Sequence, residues 1–528
     1  ALRAVSILQT GLPRTSLGGV RVTAQPSLAV YEGNAAGVWT WNTWLPAYLT
    51  AASFAVFGRT PFAARLPFAL AALLALWLSW RLFTDDMSKS PWAAEAGLAL
   101  LALSPAFILF SRQSRYYALT ALGTVFVLHS WRRLLADKRG GALAVVVSLQ
   151  ILLHSSFAFF AVALMVLAAD AALRFDECRC GARFWKVAAA TVVFSVPVFW
   201  YFRVWDRPGN HSYGLGESFE FLKTFLLWIS LFALPAFLPA AAMFKRRKPL
   251  LVLAGFLILC GLVAEGPWSR VSALLAFVWI VAQGFREPAP RGVMSLCRMS
   301  WLWLAATLGL LSLSAAEPYG RYLMGIFPVL AYIGGGWLSE AAGGRAGVTL
   351  ALSACLLATN WLGWIPLKAA SLLAAPSEPA QSVSGMMRQR LRDVKPRSDL
   401  ARLAGELIRG PEGYIEHAAA AIKAGGGGTV FSDADNLTLI FAAGISPVYA
   451  DELSNLKPDW LLPSPWLRLD SQTALNVSAL SSSGLYDIVS IPVPRLMWQN
   501  NPDPLFRNFA PEFSPLPLFH RKGHGPAR

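Results

Sequence analysis

Ser111-Arg112-Gln113-Ser114-Arg115-Tyr116-Tyr117 lies between two runs too apolar for water, 92–110 and 118–135. Each run has about the ~20 residues that a membrane-crossing helix requires, so the polar stretch is read as a turn at a membrane surface. It places two guanidiniums and two phenols there. An arginine fork binds phosphate oxygens in bidentate fashion, and tyrosine tolerates a half-wet boundary. The spacing Arg-x-x-Arg-Tyr therefore suits a phosphorylated lipid head group; the blander reading is an interfacial anchor.

Composition places the rest of the chain in the same setting. Of 528 residues, 55% are hydrophobic and only 14% charged, and the mean hydropathy is +0.47. A soluble protein of this size could not hide so much apolar surface, which makes this a polytopic membrane protein. The formal charge of +16 does not call for nucleic acid, because most Lys and Arg lie in short loops between apolar runs, where positive-inside topology and anionic membrane lipids account for them. Five cysteines give no disulfide framework. Cys178-x-Cys180 lacks a second ligand pair, so no metal ligands are assigned.

Residues 1–12 read as a short amphipathic helix ending at Gly11-Leu12-Pro13, and the chain up to about 60 as an extracytoplasmic first loop with interfacial helices rich in Trp. A transmembrane domain, 61–370, follows. Its spans are read at 65–83, 92–110, 118–135, 142–153, 157–173, 187–204, 219–243, 249–264, 269–285, 299–315, 321–339 and 347–365, about twelve in all. The two around His154-Ser155-Ser156 are short and are taken as a hairpin, because a single helix there would break the alternation of charged loops. With that hairpin, Arg132-Arg133, Lys138-Arg139, 174–186, 245–248, 286–298 and Arg345 fall on the cytoplasmic side. The opposite side receives the first loop, 111–117, His154, 206–217, 265–270, 317–321 and everything after about 366. Sparse mixed charges beside apolar spans, facing outward, suit a site.

Beyond 371–397, a Pro/Ser/charged linker, the chemistry changes. Gly425–Gly428 and Thr429-Val430-Phe431-Ser432-Asp433 read as a turn into a strand, followed by a helix over 437–443 and strands at 447–449 and 459–463. Residues 398–528 are thus expected to form a small α/β extracytoplasmic domain, with Trp460, Trp466 and Trp498 in its core or interface. The glycine run precedes its strand, whereas a nucleotide fingerprint would follow one, so it is read as a turn. Residues 492–517 read as a Pro-rich extended tail.

Four features in this order carry a resemblance: Gly58 with Ala64-Arg65-Leu66-Pro67-Phe68 before the first complete span; Leu103-Ser104-Pro105 and Ser111 to Tyr117 after the second; the short pair at His154; and Glu317-Pro318-Tyr319-Gly320-Arg321-Tyr322-Leu323 before a late span. Together they resemble the bacterial GT-C glycosyltransferases, including relatives of the protein O-mannosyltransferases and the lipid A aminoarabinose transferases, over about residues 1–365. The resemblance implies an all-α polytopic membrane bundle of about thirteen spans, about twelve of them present here. It also implies a bacterial cytoplasmic (inner) membrane, and transfer of a sugar from a polyprenyl-phosphate carrier to an extracytoplasmic lipid, glycan or protein acceptor. The family's catalytic Asp-Glu pair has no counterpart here, and the opening residues resemble the segment directly after it, so that pair is expected upstream of Ala1.

The residues themselves fit that class. Inverting transfer from a lipid phosphate needs a carboxylate to take the acceptor's proton and cations to stabilise the leaving phosphate. The outward loops supply Arg112, Arg115 and Arg321, with Tyr116 and Tyr322 beside them, as substrate-binding candidates. Glu32 is the best carboxylate for the catalytic role, its alternative being a surface loop residue. Glu317 reads as the salt-bridge partner of Arg321. His154 is a candidate for ordering a phosphate or metal, against a structural hydrogen-bonding role. The cofactor is unassigned, a divalent cation being the candidate. Two other classes fit the composition: a transporter or flippase of lipid-linked sugars, and a non-catalytic membrane subunit.

Overall fold

The computed structural model describes residues 1–22, 32–88, 90, 92–174, 181–206, 214–232, 249–264, 267–286, 293–315, 320–359, 361–373, 397–409, 413–432, 436–449, 452–453, 455–463, 471–492 and 515–523. They form two compact units, 65–403 and a second made of 1–64 with 404–528.

The larger unit is built of helices, as apolar runs in a bilayer must be when every backbone N–H and C=O has to be satisfied within its own segment. Among the described residues, five helices are long and apolar enough to cross a membrane: Pro61–Asp86, Ala182–Phe202, Pro267–Arg286, Leu296–Ser314 and the continuous Gly320–Ala341. A sixth crossing arises if Ala93–Ala102 and Pro105–Ser111, bent by 53° at their junction, count as one. The other expected spans are helical where described. Gly141–Leu153, Phe157–Leu173 and Ala346–Ala358 are shorter than a straight crossing, and Tyr117–Leu135 has the length but carries His129, Ser130, Arg132 and Arg133. The end of the 219–243 span lies outside the described residues.

Two expected spans are each split by local chemistry. At 92–110 the helix stops before Ser104, whose hydroxyl accepts from the Phe107 N–H (3.3 Å) and caps a second helix opening at Pro105. Proline has no N–H to continue the first helix and a fixed φ suited to starting the next. At 347–365 the first helix ends at Thr359, which is extended (φ −141°, ψ 155°), and a separate helix, Trp361–Leu373, follows. The pair at His154 is likewise two helices, because Ser156 is extended (φ −158°) and the halves pack against each other.

Charged side chains near helix ends of this unit pair with one another: Arg132 pairs with Asp85 (3.1 Å), Arg183 pairs with Asp137, and Asp170 binds Arg174 and Arg298. Arg174 and Arg298 were expected in charged loops on the cytoplasmic side, yet both are buried, together with Asp170 of the 157–173 helix. Elsewhere Lys223, also buried, donates to the Ala264 carbonyl (3.1 Å) and to Glu220 (3.4 Å), joining 214–232 to the end of Pro249–Val263.

Close helix packing rests on small residues. Ala93 and Gly97 face Ala331 and Gly335, both pairs at a spacing of four, and a Cβ on Gly335 would stand 2.3 Å from the Ala93 carbonyl oxygen. Gly335→Ala is therefore expected to force the helices apart and cost about 1–3 kcal/mol, read as a lower unfolding midpoint in detergent. An unchanged midpoint would refute the packing argument.

The smaller unit joins both ends of the chain. Helix Leu2–Thr10 packs on Leu45–Phe57, and between them lie a two-stranded hairpin, β1 (Ser16–Leu17) and β2 (Val20–Arg21), and the bridges Arg14 to Val38 and Gly33 to Trp39. The C-terminal part contributes a five-stranded mixed sheet: β3 (Thr429–Ser432), β4 (Ser446–Val448), β5 (Trp460–Leu462), β6 (Tyr486–Ile491) and β7 (Leu516–Arg521), in the order β4-β3-β5-β7-β6. β3 runs parallel to β4 and β5, and β7 is antiparallel to β5 and β6. Phe441 stacks on Phe54 (6.1 Å), and Arg21 pairs with Glu452 (2.7 Å) while its carbonyl accepts from the Tyr449 hydroxyl.

The tail expected as extended over 492–517 runs at its end into strand β7, which begins at Leu516. Pro517 is tolerated there because it pairs only with Ser490 of β6, while β5 reaches no further than Phe519 and His520. The glycine run is a packed turn: Trp460 Nε1 donates to the Gly427 carbonyl (2.9 Å), and Gly428, at φ +108°, makes room for the Asp459 carboxylate, which accepts from the Thr429 N–H (2.8 Å). Trp460 is buried; Trp466 and Trp498 lie outside the described residues.

Candidate functional site

The short helix Pro105–Ser111 ends beneath Arg112, and Tyr117 opens the next helix, so 112–116 form a compact turn between two helices whose facing side chains are apolar. Arg112 and Gln113 are buried, Arg115 is exposed and Tyr116 is half-buried. Against this turn packs Gly320–Ile326, a seven-residue 3₁₀ stretch that leads directly into the helix Phe327–Ala341. Runs of 3₁₀ helix this long are uncommon and mark a segment held by its surroundings.

The two segments bring together side chains far apart in the chain. Tyr116 feels Arg115, Arg321, Tyr117 and Tyr322 at once, and Tyr322 interacts with Arg321, Arg115 and Tyr117. The Arg321 guanidinium hydrogen-bonds Tyr322 and sits 5.8 Å from the centre of its ring. The Tyr116 and Tyr117 rings are 4.7 Å apart. Burial, followed by the neighbouring phenols, pushes the Tyr116 hydroxyl well above the ordinary phenol pKa, and the two arginines pull the other way without prevailing. Tyr116 is thus a neutral O–H donor at pH 7. Two cations and several phenols on one patch, with no carboxylate among the described residues that act on either tyrosine, is a constellation for holding an anion.

Of the three arginines expected to converge, the structure brings Arg115 and Arg321 to the same phenols, while Arg112 is buried earlier in the turn. Glu317 lies outside the described residues. His154 closes the helix Gly141–Leu153; burial lowers its pKa below the usual histidine value, so the imidazole is neutral at pH 7 and contributes no charge to an anion. Its hairpin reaches the 3₁₀ stretch through Phe159, which lies against Gly325.

Glu32 belongs to the other unit and is described there. Its side chain is 6% exposed, Oε2 accepts from Arg3 Nη2 (3.0 Å), and its carbonyl accepts from the N–H groups of Thr40 and Trp41. Arg3 also donates to the Arg14 carbonyl and lies 5.2 Å from the Trp39 ring. Burial brings Arg3 down to about 10, with Glu32 and Tyr449 opposing the shift, so it stays ionised at pH 7. Among the described residues no three His, Cys, Asp or Glu side chains gather as metal ligands.

Three residues of the site were not named as substrate-binding candidates from sequence. Tyr117 is 1% exposed, and its hydroxyl is enclosed with no hydrogen-bond partner among the described residues, which is costly without a role or a guest. Its place in the stretch 111–117 was the available signal. Gly320 and Trp228 meet face to face, and nothing in their local sequence announces it.

The sequence matches no protein-family model and no curated protein. In structure the chain is similar to two crystal structures of ArnT from Cupriavidus metallidurans. With undecaprenyl phosphate bound, that protein is 12% identical, with a TM-score of 0.48, over 100% of this chain and 93% of that one. In the apo state it is 13% identical, with a TM-score of 0.49, over 93% of this chain and 90% of that one.

Proposed function

We propose that this protein is an integral membrane glycosyltransferase that moves a sugar from a polyprenyl-phosphate carrier to an extracytoplasmic lipid, glycan or protein acceptor. The observation that carries this reading is the meeting of Arg115 and Arg321 with Tyr116 and Tyr322 on a unit built of apolar helices. A lipid phosphate needs both parts: cations for its head group and hydrocarbon-facing helices beside them for its tail. The order of the motifs around 58–68, 103–117 and 320–323, which resembles the GT-C glycosyltransferases, supports the same class.

In the reaction the acceptor oxygen attacks the sugar's anomeric carbon, the bond to the phosphate oxygen breaks, and the acceptor's proton passes to a base. The arginines stabilise the charge that collects on the departing phosphate, and Tyr116 offers it an O–H. In this reading Arg112 supports the turn that presents Arg115, and His154 orders the site as a neutral donor. Glu32 is assigned as the carboxylate on its chemistry.

The test uses the full chain in nanodiscs with a radiolabelled polyprenyl-phosphate sugar, following label in the acceptor fraction and in released carrier. Transfer of label supports the reading, whereas movement of intact donor across vesicles without cleavage would make the protein a transporter. Glu32→Gln, which keeps the shape and removes the charge, is expected to lower turnover by about 10²-fold or more with the fold intact. Normal turnover with a reduced unfolding midpoint would instead confine Glu32 to holding Arg3.

A further inference from the structure

The segment that carries Arg321 and Tyr322 rests on two aromatic faces. A Cβ added at Gly320 would stand 2.2 Å from Cδ2 and Cε2 of Trp228 and 2.3 Å from its Cζ2, so the Gly320 backbone lies flat on the indole. At the other end of the stretch a Cβ at Gly325 would stand 2.1 Å from Cε1 of Phe159. Trp228 comes from the helix Leu215–Phe232 and Phe159 from Phe157–Leu173, and both rings are almost fully buried. Two glycines on two rings from separate helices explain how a 3₁₀ run of seven residues persists where an α-helix could have formed. The rings set its height, and the residue directly after the first contact is Arg321.

We propose that Trp228 is a positioning residue for the anion site: through its contact with Gly320 it fixes the distance between the Arg321 guanidinium and the Arg115–Tyr116 turn. This rests on the reading of that patch as the phosphate site and adds to it a residue that touches neither donor nor acceptor. Any side chain at Gly320 must lift the backbone by roughly 1 Å, a displacement that in an oriented site costs on the order of 10²-fold. Because the obstacle is a ring face, shrinking the ring should relieve it.

The experiment measures binding of farnesyl phosphate to the purified full chain in detergent, beside the thermal unfolding of each variant. Wild type should bind and Arg321→Ala should lose most of that affinity; if wild type does not bind, or Arg321→Ala binds equally well, the phosphate reading falls and the inference with it. With that reading intact, Gly320→Ala should weaken binding about 10- to 100-fold, and Gly320→Ala with Trp228→Leu should regain at least tenfold, while Trp228→Phe keeps most of the affinity. Gly325→Ala, equally crowded against Phe159 but beyond Arg321, should lower the unfolding midpoint similarly and lose less affinity. Wild-type binding by Gly320→Ala, no recovery in the double variant, or equal affinity loss in both glycine variants in step with their midpoints would each overturn the proposal.

Discussion

Arg321→Lys is expected to lower sugar transfer by about 10²-fold while the protein still folds, although the charge is kept. The guanidinium is half-buried, hydrogen-bonds Tyr322 and acts on Tyr116 together with Arg115. Its planar fork can bind a phosphate through two oxygens while remaining against the Tyr322 ring, whereas an ammonium is a point charge that would do one or the other. Exposed Arg115 should show the same loss in smaller degree, since water screens its charge more. The measurement is turnover of the labelled donor at saturation beside its KM. Full turnover in Arg321→Lys would remove the fork from the chemistry and leave Arg321 as an interfacial anchor.

Asp170→Ala is expected to destabilise the fold by about 3–5 kcal/mol. The carboxylate is fully buried and accepts from Trp131 Nε1 (2.7 Å), Arg174 Nε (3.1 Å) and Arg298 Nη2, and Arg174 goes on to donate to the Val293 carbonyl (2.6 Å). Asp170 therefore binds two guanidiniums whose side chains are each 1% exposed. Removing it takes away a buried acid bonded to two buried cations, which costs more than losing a surface pair. Asp170→Asn keeps the shape and should fall nearly as far, while Asp170→Leu with Arg298→Met, which removes one cation with the acid, should recover part of the loss. Thermal unfolding in detergent reads all three variants, and a midpoint that Asp170→Ala leaves in place would show that the network contributes nothing net.

Much of this architecture was legible in the chain, because membrane and backbone impose local rules. Apolar runs of span length must become helices, so a polytopic helical bundle could be read before any coordinates, and the polar stretch 111–117 had to be a turn between two of its helices; the count of about twelve crossings was not, since the described residues hold five helices long and apolar enough to cross, or six with the bent pair. Strands β3, β4 and β5 were legible for a similar reason, since short β-branched and aromatic runs after turn residues leave few alternatives. The break at Ser104-Pro105 is equally local and was available in the residues, although 92–110 was read as one span.

Tertiary structure decided what depends on which residues meet. Arg174 and Arg298 flank apolar runs and look like loop charges, and only folding shows both turned inward onto Asp170. Glu32 looks like a free carboxylate until Arg3 is found on it, and the glycine run looks slack until Trp460 and Asp459 fill it. Pairing of Arg115 with Arg321 across one patch, and the seating of Gly320 on Trp228, join segments separated by many helices. Hydropathy and periodicity report what each segment prefers to be next to, water or hydrocarbon; they carry no information about which partner within that environment it meets, and that choice is made by packing.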